Sequence, residues 1–171
     1  MIRRNRILRR SDAIRSLVQE TTLSPNDFIV PMFIVEGSNV KEMIASMPNY
    51  YRFSLDLAVK EAKELWQMGL KSVLLFVKVP DELKDNAGKE ALNTEGLMQR
   101  AIRAIKNAVP EMCVMTDVAL DPYSMYGHDG IVENFEIVND KTVDLLAPIR
   151  PSIISLGATK SAPARACETD I

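Results

Sequence analysis

The chain has 171 residues, of which 47% are hydrophobic and 26% are charged, and its net charge is −2. This apolar content excludes a disordered chain, and the balanced charge excludes a general nucleic-acid binder. No apolar run approaches the roughly 18 residues that a membrane-spanning helix needs. We therefore expect one folded domain with neither a nucleic-acid nor a membrane partner.

The amino-terminal segment departs from this balance because six arginines crowd into its first fifteen residues. They are Arg3, Arg4, Arg6, Arg9, Arg10 and Arg15, against the single acid Asp12. Such an arm could bind RNA or another anionic surface, or it could be solvated or docked on an acidic partner subunit. We favour the second interpretation because no aromatic residues that could stack on bases interrupt the arginines. Residues 1–27 are assigned to this arm.

The next segments alternate between strand and helix patterns. Residues 28–35 form an apolar, β-branched and aromatic run that predicts a strand buried on both faces, as in a parallel sheet. An amphipathic helix is predicted from the cap Ser54 to Gly69, and a second buried strand over residues 72–77. Further segments in chain order are a helix over 97–109, a strand over 112–120, a small hairpin over 131–138 and a helix from Asn139.

This alternation predicts parallel strands joined by right-handed crossovers. Either a doubly wound sheet or a (β/α) barrel fits the pattern. No glycine-rich phosphate motif follows any of the strands, which argues against a nucleotide site.

The pattern changes after Ala147. Pro148 and Pro151 are expected to end the helix, since each costs about 3 kcal/mol in a helix interior. We expect a short fourth strand over 152–156 and a poorly ordered tail over 158–171.

The densest group of chemically active side chains follows the third strand. Asp117, Asp121, Asp129 and His128 lie at or beyond its carboxyl end, where parallel α/β folds bind ligands. Clustered carboxylates suit a hard cation or a substrate ammonium group, whereas zinc prefers cysteine and histidine. The alternative is structural, because Asp, Pro, Gly and Ser also build turns. A lone histidine is more often a structural hydrogen-bonding residue than a ligand.

Two weaker features complete the candidates. The loop Lys84–Gly88 follows the second strand, and we favour a solvated loop with Gly88 at a turn. Cys113 and Cys167 are isolated and form no paired motif, which favours a reducing, cytoplasmic location.

Together these segments resemble the porphobilinogen synthase family, also called δ-aminolevulinic acid dehydratase. The matching pieces, in the order of the family, are residues 3–15, 20–24, 28–33, 46–48 with Tyr51 and Arg52, Lys84 and Asp85 with Gly88, and residues 116–130. The resemblance implies the amino-terminal half of an enzyme that condenses two 5-aminolevulinate molecules into porphobilinogen. It implies an α/β fold in which residues 28–147 form the first three to four βα units of a (β/α)8 TIM barrel. It also implies that the arm joins subunits into an octamer-like homo-oligomer, and it leaves residues 148–171 as a divergent tail.

The resemblance also implies a metal preference and a role for the aspartates. The family's three zinc-binding cysteines correspond to Ala119, Asp121 and Asp129, so the chain resembles the aspartate-rich, zinc-independent branch, which is often stimulated by magnesium. Asp117, Asp121 and Asp129 are the implied substrate-pocket residues, and no zinc is expected.

Catalysis in the family depends on two Schiff-base lysines on later barrel strands, and no lysine of this chain stands at those positions. The last lysine, Lys160, lies in the expected tail. We therefore expect the chain alone to be inactive. The alternative function is an assembly or regulatory fragment that docks on full-length subunits.

Overall fold

The structure is a computed structural model that describes residues 6–155, 157–158 and 160–163. Its helices are α1 (Asp12–Leu17), α2 (Leu55–Gln67), α3 (Leu97–Ala108) and α4 (Asn139–Ser155). Its strands are β1 (Ile29–Val35), β2 (Lys41–Met43), β3 (Tyr51–Ser54), β4 (Ser72–Lys78), β5 (Cys113–Val118), β6 (Val132–Glu133), β7 (Glu136–Ile137) and β8 (Lys160–Pro163). Within the described residues, no helix has the length and apolar content to cross a membrane.

The main sheet has the strand order β2-β3-β1-β4-β5-β8, and β1, β4, β5 and β8 run parallel to their neighbours. The helices α2, α3 and α4 connect these four strands, so each new strand is added at the same edge of the sheet. A doubly wound sheet would reverse its strand order at a switch point. The order observed is that of successive units of a (β/α)8 barrel, which confirms the predicted partial barrel.

The sheet is buried on one face only, which corrects the expected burial of the strands on both faces. Buried and half-buried residues alternate along β4 and β5. The buried set faces the helices and includes Ile34, Val73, Leu75 and Val114. The alternate positions are half-buried because the helices cover one face and five parallel strands do not close a barrel over the other. Both sets are largely apolar, so the sequence did not show the alternation.

Helix α4 continues through both prolines, so the predictions of a helix end before Pro148 and of a strand over 152–156 were wrong. Ile149 and Ile153 lie one helical turn apart and are 3% and 2% exposed in the core. Burying each isoleucine stabilises the fold by about 1.5–3 kcal/mol, which offsets the cost of the prolines. Both prolines lie on the exposed side of the helix, where water can satisfy the carbonyl groups that they leave unbonded.

The chain after α4 forms a further strand. Residues 160–163 of the expected tail form β8, which pairs in parallel with β5 from Met115 to Val118. The proposed domain boundary at residue 147 falls inside α4. Residues 164–171 lie outside the described part of the chain.

The amino-terminal arm is exposed from Arg6 to Leu23, apart from a half-buried Ile14. Its helix α1 begins after Ser11, whose hydroxyl accepts a hydrogen bond from the N–H of Ile14 at 3.3 Å. This is the capping that a serine provides at a helix start. The short helix therefore forms without burying any residue.

Candidate active site

The carboxyl ends of β1, β4 and β5 meet at one edge of the half-buried sheet face. Phe33 of β1 pairs in register with Phe76 of β4, and their rings stack at 5.3 Å with an angle of 18° between planes. The two rings form part of the wall of a cavity of about 260 Å³. The other residues that line this cavity are Arg52, Leu75, Val77, Lys78, Lys84, Met98, Asp117, Ala119, Asp121, Pro122 and Tyr123.

Three cationic side chains also line the cavity. Lys78 was not singled out from the sequence, Arg52 was named only for the resemblance, and Lys84 belonged to the weaker candidate loop. Arg52 donates to the carboxylate of Glu42 at 3.0 Å, and Lys78 Nζ lies 3.8 Å from the same oxygen. Lys84 donates to Asp81 at 2.7 Å. Lys78 ends its strand, and Arg52 lies opposite Phe33 in the sheet. The strand register, which the sequence does not fix, places Arg52 and Lys78 here, whereas Lys84 lies in the loop after β4.

The predicted aspartates come together, but they have different roles. Asp117 and Asp121 line the cavity. The Oδ1 atom of Asp129 instead accepts backbone hydrogen bonds from Leu120 at 3.1 Å and from Asp121 at 3.2 Å. Asp129 therefore closes the loop after β5 and holds its own charge close to the other two carboxyl groups.

The two aspartates that line the cavity have raised pKa values. Burial, with the nearby charge of Asp129 adding to it, raises the pKa of Asp117 above its ordinary value. The same two causes, together with a hydrogen bond to Asp129 and the charge of Asp117, raise the pKa of Asp121 to about 6. Asp121 can therefore exchange a proton near neutral pH, as a general acid or base must.

The loop after β4 supports the aspartate loop. Asn86 forms two hydrogen bonds with the backbone of Val132: its Nδ2 donates at 2.8 Å, and its Oδ1 accepts at 2.9 Å. Gly88 has a φ of +59°, and a Cβ there would lie 3.1 Å from Leu120. The segment Lys84–Gly88 has the turn that was expected at Gly88. It is also tied to the hairpin and packed against the aspartate loop, which corrects the expectation of a merely solvated loop.

The donor atoms of the aspartate loop can be compared with the metals that the resemblance implies. Oxygen ligands alone suit magnesium better than zinc. However, no group of three or more His, Cys, Asp or Glu side chains within the described residues is arranged to hold a metal ion. One oxygen of Asp129 is bound to the backbone. We therefore derive no step through a metal at this position.

His128 does not join this cavity. Its side chain is exposed, and it lies instead in a groove with Tyr126 and Phe135 near the β6–β7 hairpin. The histidine beside the aspartates in sequence thus points to a different surface.

Comparisons with known proteins agree with this fold and show the family. The family model for delta-aminolevulinic acid dehydratase matches residues 2–171. A delta-aminolevulinic acid dehydratase of Chlamydia pneumoniae is 45% identical over 161 residues, which are 94% of this chain and 48% of that protein. One of Ruminiclostridium josui is 42% identical over 163 residues, which are 95% of this chain and 78% of that protein.

A solved structure of the enzyme from Toxoplasma gondii, in complex with the reaction product porphobilinogen, is also similar. It superposes with a TM-score of 0.89 at 40% identity, covering 96% of this chain and 47% of that one. The chain thus spans about half the length of this enzyme and of the Chlamydia relative. From its sequence, its partial barrel and the arrangement of its strands, the chain belongs to the delta-aminolevulinic acid dehydratase family.

Proposed function

We propose that the chain forms the amino-terminal half of an enzyme that condenses two 5-aminolevulinate molecules into porphobilinogen. The observation that carries this proposal is the superposition, over 96% of the chain, on a relative that holds porphobilinogen. The test is a chimera in which residues 2–171 replace the matching segment of the Chlamydia relative. Porphobilinogen formation by the chimera supports the proposal, and a folded chimera without this activity contradicts it.

The cavity suits a substrate that carries an ammonium group. Asp117 and Asp121 supply the negative charge, and Phe33 and Phe76 supply an apolar wall for a short carbon chain. Because its pKa is raised to about 6, Asp121 is ionised in most molecules at neutral pH. We propose that Asp121 holds the substrate ammonium and can accept a proton from it.

We do not assign the Schiff-base role to the two lysines of the cavity. A lysine must lose its proton to attack a ketone, which requires a buried or cation-flanked pocket. Lys84 is bound to Asp81, and Lys78 faces Glu42 while 56% of its side chain is exposed. We therefore propose that the 171-residue polypeptide alone forms no porphobilinogen. Incubation with 5-aminolevulinate and magnesium tests this proposal, and turnover at the rate of an intact relative contradicts it.

The same loop supports a zinc-independent enzyme. Ala119 offers no ligand atom, and Asp121 and Asp129 offer oxygens where the zinc-dependent branch has cysteines. We propose that the complete enzyme works without zinc and responds to magnesium. The chimera tests this when it is assayed after chelation, with zinc or magnesium added back. Recovery by zinc alone contradicts the proposal.

The exposed arm supports assembly. No residue between Arg6 and Leu23 is buried, so this segment is available to another subunit. We propose an octamer-like homo-oligomer held by the arm, in the cytoplasm. The second candidate, a fragment that docks on full-length subunits, uses the same arm. Co-expression with an intact relative, followed by size-exclusion chromatography, detects the mixed oligomer that this candidate predicts.

A further inference from the structure

Tyr50 packs against the wall of the cavity without lining the cavity itself. Phe33 and Phe76 form the aromatic wall, with their rings stacked at 5.3 Å. The ring of Tyr50 meets that of Phe33 edge-on, at 5.8 Å and with an angle of 88° between planes, which is a favourable geometry for an aromatic pair. Tyr50 is not one of the described residues that line the cavity. Its ring therefore reaches the site through Phe33.

Tyr50 lies on the side of Phe33 that faces away from Phe76. The strand order at this point of the sheet is β3-β1-β4. Phe33 belongs to β1 and Phe76 to β4, whereas Tyr50 directly precedes β3. A side chain on a strand commonly adopts either of two χ1 rotamers. Because the ring of Tyr50 occupies space on the β3 side, it favours the position in which Phe33 stacks on Phe76.

The hydroxyl of Tyr50 anchors its ring to β1. It donates to the carbonyl oxygen of Pro31 at 2.8 Å, two residues before Phe33. Within the described residues, β4 pairs with β1 from Ile29 to Val35, whereas β3 pairs with it only from Phe33 to Val35. The hydroxyl thus supplies a hydrogen bond to β1 at a point where β3 does not yet pair with it.

The backbone before β3 holds Tyr50 in this place. Its N–H donates to the carbonyl of Met47 at 3.1 Å, and its own carbonyl accepts from the N–H of Ile44 at 2.9 Å. Ile44 is 6% exposed, so the first residue of this turn is fixed in the protein interior. Asn49 has a φ of 62°, a left-handed conformation that asparagine tolerates. The turn is therefore bonded at both ends, and Tyr50 is its last residue.

The hydroxyl of Tyr50 keeps its proton at neutral pH. Burial, followed by the charge of Glu61 on α2, raises the pKa of Tyr50 above its ordinary value of 10.0. A protonated phenol donates hydrogen bonds, so the bond to Pro31 persists at the pH of about 6 where Asp121 titrates. The groups that raise the pKa of Asp121 do not include Tyr50. A change at Tyr50 should therefore leave the acidity of Asp121 unaltered.

We infer that Tyr50 is a positioning residue, which holds Phe33 in the aromatic wall against which the carbon chain of 5-aminolevulinate packs. This inference rests on the proposed function of the cavity. The wall contacts the substrate both before and during the reaction, so its displacement weakens binding of the ground state and of the transition state equally. Loss of Tyr50 should therefore raise KM and leave kcat nearly unchanged.

The first test uses the full chain and does not depend on activity. NMR measures the nuclear Overhauser contacts between the rings of Phe33 and Phe76. We expect these contacts in wild type and in Tyr50→Phe, which keeps the edge-on ring, and a reduction of at least about twofold in Tyr50→Leu. Tyr51→Leu is the matched control, because the ring of Tyr51 contacts that of Phe53. Unchanged contacts in Tyr50→Leu overturn the inference.

The second test measures kinetics in the chimera with the second half of the Chlamydia relative. Tyr50→Leu should raise the KM for 5-aminolevulinate about tenfold and change kcat by less than about twofold. Tyr50→Phe, which loses only the hydroxyl, should raise KM about two- to threefold. The apparent pKa in the pH profile of kcat/KM should be the same in both variants as in the parent. Tyr51→Leu should match the parent in KM.

The outcomes separate this inference from the proposed function. A parent chimera that forms porphobilinogen, with an unchanged KM in Tyr50→Leu, overturns the inference and leaves the proposed function standing. A fall in kcat and Tm at unchanged KM indicates a merely structural role and likewise overturns the inference.

Two further outcomes are also decisive. A folded parent chimera without activity contradicts the proposed function, and the ring contacts in the full chain then decide whether Tyr50 positions Phe33. If Tyr50→Leu does not fold, Tyr50→Phe takes its place, and a KM equal to that of the parent overturns the inference.

Discussion

The Oδ1 atom of Asp129 accepts a hydrogen bond from the backbone N–H of Asp121 at 3.2 Å, and a second from Leu120 at 3.1 Å. One carboxylate therefore fixes the conformation of the loop and, after burial, adds most to the raised pKa of Asp121, whose backbone it binds. Asp129 thus has the structural role that turn-forming residues suggested, and Asp117 and Asp121 line the cavity in which we propose that they act.

Replacing Asp129 should affect both properties. Asp129→Ala leaves the two N–H groups without their acceptor, so we expect a loss of about 1–3 kcal/mol in the free energy of unfolding. It also removes a neighbouring charge, so the pKa of Asp121 should fall below about 6. Chemical denaturation and NMR titration measure the two effects. Asp144→Ala, at an exposed position of α4, is the control, and equal results for both variants would contradict the assigned role.

The dependence of stability on pH should show the raised pKa of Asp121. The folded pKa of about 6 lies above the ordinary value of 3.8, so the folded state binds this proton more tightly than the unfolded state. The contribution that the proton on Asp121 makes to the free energy of unfolding is therefore fully present below pH 3.8 and is lost as the pH rises towards 6. Urea unfolding of wild type and Asp121→Asn between pH 4 and 7 should show that the variant loses less stability over this range. Parallel curves for the two proteins would contradict the assignment.

Asn86 should stabilise the site although it lies outside the cavity. Asn86→Ala removes both bonds to Val132, and we expect a loss of about 1–3 kcal/mol. Amide hydrogen exchange of Val132 should also become faster. Asn107→Ala, at an exposed position of α3, is the matched control. It should be neutral or slightly stabilising, because alanine favours helix. Unchanged exchange at Val132 in Asn86→Ala would show that the two loops are not coupled.

Alanine substitutions can test which face of α4 packs in the core. Ile149→Ala and Ile153→Ala should each lower the free energy of unfolding by about 2–5 kcal/mol, because both side chains are buried. Ile154 is adjacent and 46% exposed, so Ile154→Ala should cost much less. Denaturation of the three variants measures this difference. A large loss of stability in Ile154→Ala alone would contradict the assignment of Ile149 and Ile153 to the buried face of α4.

The sequence predicts most of the elements because their patterns are local. Apolar periodicity is visible in short windows, and β1, α2, β4, α3, β5 and the hairpin follow it, whereas α1, β2 and β3 were not predicted. Ser54 does precede α2, but its hydroxyl bonds to Val40 and does not cap the helix. The path of α4 was mispredicted because Pro148 and Pro151 are local signals, whereas burial of Ile149 and Ile153 depends on the rest of the core. Likewise, the position of Asp117 and Asp121 at the carboxyl end of β5 is visible in the sequence, but the approach of Arg52 and Lys78 depends on the register between strands.

The central claim is that the cavity at the ends of β1, β4 and β5 belongs to a porphobilinogen-forming site. The most direct measurement is porphobilinogen formation by the chimera with the second half of the Chlamydia relative, with and without Asp117→Ala and Asp121→Ala. We predict product from the parent chimera and a loss of about 100-fold or more in kcat/KM for each variant, with Asp144→Ala unaffected. Correctly folded aspartate variants that retain the parent rate would contradict the claim.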